Sequence, residues 1–521
     1  MRRSTWAVLM AGVLLSGVAT AAGKVLRVGV STGVKSSEFT TKHDEVTGAV
    51  LHHVYEPLVA YRDDMSIGPM VAERYEVSND GKTYTFKIRE GIVFHNGAPV
   101  TSAEVKWTWN RYLSRDWGDR CRGHFDGSEE IYLRPSHVLS VEAPDPRTVV
   151  FRLASPNGLF LHQMASNYCI TGILHPDSVN ADGSWKQPIA TGPYQLTSWE
   201  KDGAAVLTRF AGYKPRKEPM SGLAGAKEAK LDELRFVPFP DRQSLAQGLI
   251  EGKVDVLLDL NLEAYDSMKS KQGVVLYPQE RLAWQQLLIQ TRHDPLLRDP
   301  KLRQAIAYAI DREKITKIVA HGLVQPNPSA VARRSPYHTA AQDVSLGYNP
   351  DRAKALLRES GYQGQPITIQ ASRAPYEVFY QSAVLAAEML NAVGINAVVK
   401  EVDWATQDKN YGANEFQITS MSFSMRTDPA LMYSAIIGQK TDHKWYLWED
   451  SEADLWTGQA AYASDPAQRQ RLFDQIHAKM IDSTPTIGLY NNFRIDVSSD
   501  KVQGYKTHPM GIPRFWGVTV R

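Results

Sequence analysis

Ile367-Thr368-Ile369-Gln370 alternates apolar and polar residues, the loop Ala371-Ser372-Arg373-Ala374-Pro375-Tyr376 follows it, a helical stretch at 377–393 is stopped by Gly394, and a second strand runs over 395–402. Strand, helix and strand at this spacing form a βαβ unit, whose two strands lie parallel with a right-handed crossover. Similar signals continue on both sides. Asp299-Pro300 caps a helix in which Leu302, Ile306, Ala309 and Ile310 share one face, Asn349-Pro350 opens another that stops at Gly361, and Asp465-Pro466 opens a third. Trp404 opens a short helix, and Phe416-Gln417-Ile418-Thr419-Ser420-Met421 supplies a further strand. Helices alternating with strands in this way place the chain in the α/β class.

The N-terminal half reads differently. Val25-Leu26-Arg27-Val28-Gly29-Val30 is a strand that ends in the polar loop Ser31-Thr32-Gly33. Between about 55 and 190 strands dominate: Tyr84-Thr85-Phe86-Lys87-Ile88-Arg89 follows the turn Asn79-Asp80-Gly81, and Thr148-Val149-Val150-Phe151-Arg152-Leu153 follows Pro144-Asp145-Pro146. One helix is well marked there, by the capping box Thr101-Ser102-Ala103-Glu104 with Val105, Trp109 and Tyr112 behind it. The 521 residues suggest about three compact units.

Residues 1–21 carry Arg2 and Arg3, an apolar stretch from Trp6 to Val18 and the small-residue site Ala19-Thr20-Ala21. That is the pattern of a cleaved export signal, too short and too diluted for the roughly 20 apolar residues of a membrane span. Ser4 directly after the arginine pair favours the general secretory route over twin-arginine export. No cysteine stands near the site to take a lipid, so a soluble periplasmic protein is expected. Removing the two arginines leaves 57 basic and 57 acidic residues, scattered along the chain. Such a balance lacks the basic footprint of a nucleic-acid binder. An oxidising compartment permits a disulfide between Cys121 and Cys169, the two cysteines present; two separate buried thiols is the alternative. No spacing of Cys and His suggests a zinc site, and no cofactor is expected.

Three stretches are candidates for chemistry. Gly29-Val30-Ser31-Thr32-Gly33 matches GxSxG, yet no helical stripe follows Ser31 and no motif places an acid or a histidine to serve it, so a serine hydrolase is the weaker reading. Open α/β sheets bind ligands beyond the carboxyl ends of their strands. That rule selects the loop with Arg373 and Tyr376, and the loop Ser422-Phe423-Ser424-Met425-Arg426-Thr427-Asp428-Pro429. Two converging guanidinium groups would clamp a carboxylate or phosphate between the aromatic walls Tyr376 and Phe423. Alternatively each arginine is solvated or pairs with a local acid such as Asp428.

Several motifs in collinear order resemble those of the extracytoplasmic solute-binding proteins, family 5, of peptide, opine and nickel ABC importers. They are Tyr55-Glu56-Pro57-Leu58-Val59, the run 78–86, Phe94-His95-Asn96-Gly97 with Ala98-Pro99-Val100-Thr101, Thr191-Gly192-Pro193-Tyr194, the run 302–312, Val393-Gly394-Ile395 and Val402-Asp403-Trp404. The resemblance implies a two-lobed type II periplasmic-binding-protein fold of the large, three-subdomain class, with a hinge crossed near Arg281 and Tyr490. One lobe would combine 22–54, 190–280 and 489–521 around an inserted sheet subdomain at 55–189, and the other would be 281–488. It also implies a small-molecule ligand, membrane permease subunits with a separate ATPase as partners, and a monomer.

Carried over by position, Arg373, Tyr376 and Trp404 match residues that hold a peptide carboxylate in dipeptide binders. The acid that meets the peptide ammonium there is missing from 423–427, where Arg426 adds a positive charge instead. The expectation is therefore an anionic solute such as an opine or a sugar phosphate, as in agrocinopine-type binders, with a dipeptide or oligopeptide as the alternative. Arg373, Tyr376, Trp404, Phe423, Ser424, Met425, Arg426 and Asp428 would face it from one lobe, and Ser31 and Thr32 from the other. His443 lies where nickel binders place a histidine, and a single histidine makes no metal site.

Overall fold

The computed structural model describes residues 24–38, 44–114, 119–126, 136–166, 169–374, 377–441 and 446–521, with side chains from 122 onward in the third of these segments. Its backbone is a ten-stranded mixed sheet. At one end Ala397–Val402, Ile367–Ser372 and Ile418–Phe423 lie side by side and parallel. At the other, Val25–Val30 pairs in parallel with Glu233–Pro238 and Val256–Leu257, and Ala205–Arg209 and Tyr194–Trp199 complete the edge. Two long antiparallel strands, Val274–Ile289 and Thr486–Ser499, join the halves.

The βαβ unit forms where the sequence places it, with shifted boundaries. Its first strand continues through Ala371 and Ser372, because these still pair with Glu401 and Val402. The helix Glu377–Ala392 buries Phe379, Ala383, Ala386, Ala387 and Leu390. Gly394 follows at φ +98°, a conformation that a side chain would strain, and the next strand starts at Ala397. Thr101 forms its capping box with Glu104 and starts the helix Ser102–Leu113. That helix presents Trp109 to Phe151 and Phe125 beneath a separate four-stranded antiparallel sheet.

Hydrophobic side chains gather into separate cores. The first contains the four-stranded sheet, the strand Val25–Val30 and the C-terminal segment with Phe515, Trp516 and Val518. The second contains the βαβ unit and the helices Pro300–Ala309 and Pro466–Ser483. A small third cluster, with Leu245, Val254, Tyr265, Ile495 and Val497, lies beside the first. The joining strands change core part-way along. Val274 to Glu280 pairs with Phe493 to Ser499, Trp284 to Leu288 pairs with Thr486 to Asn491, and the register breaks at 281–283. A second irregularity follows between Gln285 and Gln286, and bulges of this kind bend a strand and raise its local twist.

Candidate ligand cleft between the two cores

The register break brings the loop after Ile418–Phe423 against the first core. This loop leaves the sheet at Phe423, which is buried in the second core beside Tyr411. Ser424 is exposed, and Met425 is buried among side chains of the first core. Arg426 Nη1 donates to Ser424 Oγ at 2.6 Å and to the Met425 carbonyl at 3.3 Å. Asp428 closes the loop: it caps the helix Pro429–Tyr433 by accepting from the Ala430 N–H at 2.9 Å, and both of its oxygens accept from Arg469 Nη2 at 2.7 Å. The pair is buried on both sides. Burial alone would lower the Arg469 pKa, and Asp428 outweighs it, so the guanidinium titrates above its usual range.

Two cavities lie along this seam. One, of about 10 Å³, is lined by Met65 and Leu282 together with Ala330, Arg426, Thr427 and Met432. The other, of about 40 Å³, is lined by Asp44, Glu45, His52 and Arg281 with Met425 and Met510. Glu45 reaches Arg281 at 2.5 Å and Arg494 at 3.5 Å. Burial raises the Glu45 pKa, the two guanidiniums together lower it by more, and the net direction is down. Solute sites of drug-like size occupy about 300–1,000 Å³, so the two cores must separate to admit one.

From the first core, Tyr61, His124 and His162 approach the same loop. The Tyr61 hydroxyl lies 2.8 Å from His162 Nδ1 and beside Thr427. Burial lowers the His162 pKa to about 4; Asp428 opposes this and Arg469 reinforces it. Burial, with Arg426 nearby, also lowers His124 to about 4. None of these three residues carries a signal in the sequence. Phe160-Leu161-His162-Gln163-Met164 reads as one turn of an apolar helix, and only the tertiary fold brings its histidine to the loop.

The expected two-arginine clamp is not assembled. Arg373 is half exposed, with Nε at 3.1 Å from Glu401 and Nη1 at 3.3 Å from Glu377, and its guanidinium stacks on Tyr380 at 3.8 Å. Both acids were readable: Glu377 stands one helical turn after Arg373, and the register Ala371↔Glu401 places the other on the neighbouring strand. Its charge is spent locally, so Arg426 is the member of the pair that reaches the seam. Phe423 belongs to the second core and is no cleft wall. Asp428 is held by Arg469, which leaves it a structural role. Trp404 is partly buried and packs on Phe379. Tyr376 and His443 lie outside the described residues.

Ser31 and Thr32 stand at the end of Val25–Val30, and neither lines the seam cavities. No helix opens at Ser31, and the chain continues through bends to an isolated bridge between Val34 and Gly203. The glycines of GxSxG are explained by packing. A Cβ on Gly29 would sit 2.5 Å from Leu245 Cδ1, and one on Gly33 would sit 2.0 Å from the Asp202 carbonyl carbon. Among the described residues no His, Cys, Asp and Glu side chains form a group that could hold a metal ion. Cys169 is buried and disulfide-bonded, and the Cys121 side chain lies outside the described residues.

Comparison with known proteins gives this geometry its context. The family model described as bacterial extracellular solute-binding proteins, family 5 middle, matches residues 66–445. The chain belongs to this family. Its members are the solute-capturing components of ABC importers, and the family of binding proteins accords with the absence of an elbow at Ser31. The glutathione-binding protein GsiB of Escherichia coli strain K12 is 24% identical over 522 residues, covering 96% of this chain and 97% of GsiB. Among solved structures, HbpA2 from Haemophilus parasuis superposes with a TM-score of 0.79 at 23% identity, covering 95% of this chain and all of the other. The binding protein AgaA of A. tumefaciens R10, solved in complex with agropinic acid, gives 0.70 at 22% identity, covering 95% of this chain and 99% of AgaA. The shared fold is the two-lobed type II periplasmic-binding-protein fold.

Proposed function

We propose that this solute-binding protein captures a small anionic solute, opine-like, sugar-phosphate-like or peptide-like, between its lobes and delivers it to the permease of an ABC importer driven by a separate ATPase. The supporting observation is that the loop 424–428 presents Arg426 at the seam, beside a cavity to which the other lobe contributes Met65. A guanidinium in a partly dry cleft binds carboxylate or phosphate through paired, charge-assisted hydrogen bonds. Glutathione and agropinic acid, bound by GsiB and AgaA, are both carboxylic acids, which supports the charge class. An oligopeptide is the second reading. It is favoured by the similarity to GsiB, whose ligand glutathione is itself a short peptide.

On this reading 22–54, 190–280 and 489–521 form the core of one lobe around the inserted subdomain 55–189, and 281–488 forms the other. Closure turns on the break at 281–283, driven by contacts that the solute makes with both lobes. The mature protein is a soluble periplasmic monomer without a lipid anchor, it performs no catalysis, and Cys121 bonds Cys169. Titration calorimetry with glutathione, agropinic acid and a dipeptide tests the ligand class. Arg426→Ala is expected to weaken binding of the preferred acid by 10-fold or more, roughly 1.4 kcal/mol. Equal affinity in the variant would remove Arg426 from the site.

A further inference from the structure

The inserted subdomain meets the second lobe at several points apart from the hinge. Leu159 is counted within the second lobe's core, Met65 lines a cavity with Thr427 and Met432, and the backbone at Gly158 packs against the Ala463 carbonyl. The polar contact among them is the group Tyr61, His162, Thr427, Asp428 and Arg469. His162 comes from the short helix Phe160–Met164, whose other residues carry no charge. Tyr61 faces it from the strand Val59–Tyr61, Asp428 from the loop, and Arg469 from the helix Pro466–Ser483, with Tyr337 packed against that guanidinium. An imidazolium at His162 is disfavoured chiefly by its burial in this interface, an effect that Asp428 opposes and Arg469 reinforces. At His124 burial again dominates and Arg426 adds to it; on its own helix Arg122 and Asp126 are paired at 2.7 Å.

We propose that Tyr61 and His162 are positioning residues for the binding loop, which hold 424–428 in place when the lobes close and do so only while His162 is uncharged. The proposal rests on the solute-capture reading above for its hinge closure, and adds that the inserted subdomain is the clasp. With the lobes together His162 titrates near 4, whereas separation returns it to water and to about 6.5. Below that value the open form takes up a proton that the closed form rejects. The contribution to closure is therefore complete above pH 6.5 and falls away by up to about tenfold per pH unit as the pH drops towards 4.

Single-molecule energy transfer on the full chain reads the closed-to-open ratio directly. Dyes are placed at the exposed positions Leu139 on the inserted subdomain and Leu455 on the second lobe. Between pH 7.5 and pH 5 the ratio is expected to fall by at least about tenfold. His162→Asn keeps a polar atom near Nδ1 but does not titrate, and should flatten most of this dependence. Tyr61→Phe should lower the ratio at pH 7.5 and leave the dependence in place, with circular dichroism showing each variant folded. A ratio independent of pH in the unaltered chain, an unchanged slope in His162→Asn, or no closed state at any pH would overturn the clasp. Failure of the solute-capture reading looks different: no added acid shifts the ratio at any pH, while the slope of the solute-free chain persists.

Discussion

Single charged residues at the seam divide into those spent on the fold and those left to act. Asp428 and Arg469 are buried together, one guanidinium nitrogen meeting both carboxylate oxygens, and removing one partner of such a pair strands the other charge. Asp428→Ala should lower stability by about 3–5 kcal/mol in urea denaturation. Glu280, beside the register break, is the opposite case. Its Oε1 is buried without a hydrogen-bond partner, and burial raises its pKa to about 6 despite Arg333 and Arg334. A carboxyl raised in the folded state favours folding fully below its unfolded value near 4.5, and that contribution is lost as the pH rises through 6. Glu280→Gln should therefore be more stable than the parent at pH 8 by roughly 2 kcal/mol and indistinguishable from it at pH 4, when denaturation midpoints are compared. The sequence located the loop that carries Arg426 but not which of the two arginines reaches the seam. A charge's partner depends on register and helix phase, and for Arg373 those follow from elements already assigned. For Asp428 the partner lies 41 residues away, on a helix whose packing no local pattern reveals.

At the scale of elements, local signals were enough wherever a cap or a stop has a short-range cause. The capping box at Thr101, the Asp-Pro and Asn-Pro helix starts and the stop at Gly394 all use hydrogen bonds or dihedrals within a few residues. Thr101→Ala should cost about 1 kcal/mol of stability, since one N–H of the first turn loses its acceptor; chemical denaturation measures it. Strand ends were less legible. Ala371 and Ser372 read as loop in the sequence, and belong to the sheet because Glu401 and Val402 continue the ladder opposite them. The two joining strands were visible only as positions of crossing. Their pairing, with its break at 281–283, is set by residues about 200 or more apart in sequence. The GxSxG motif marks the converse hazard: small residues selected by close packing imitate a catalytic turn.

In the whole molecule, one continuous sheet spans both lobes, so the lobes remain connected while they rotate, and what opposes rotation is the contact between their faces. Gly158 makes one such contact: a Cβ there would stand 2.2 Å from the Ala463 carbonyl oxygen, which is backbone and cannot rotate aside as a side chain would. Gly158→Ala should therefore leave each lobe folded and hold the faces apart. Affinity for the solute is expected to fall tenfold or more, because binding energy is then diverted into relieving the clash, and small-angle scattering should show the radius of gyration failing to contract when solute is added. Gly412→Ala is the matched control. It lies in the helix Trp404–Ala413 with nothing within 4 Å of the added carbon, so closure should be untouched while stability rises by up to about 1 kcal/mol. Contraction and full affinity in Gly158→Ala would mean that the lobes close by a path on which the inserted subdomain never meets 461–463, and the hinge at 281–283 would then have to swing about a different axis from the one these contacts define.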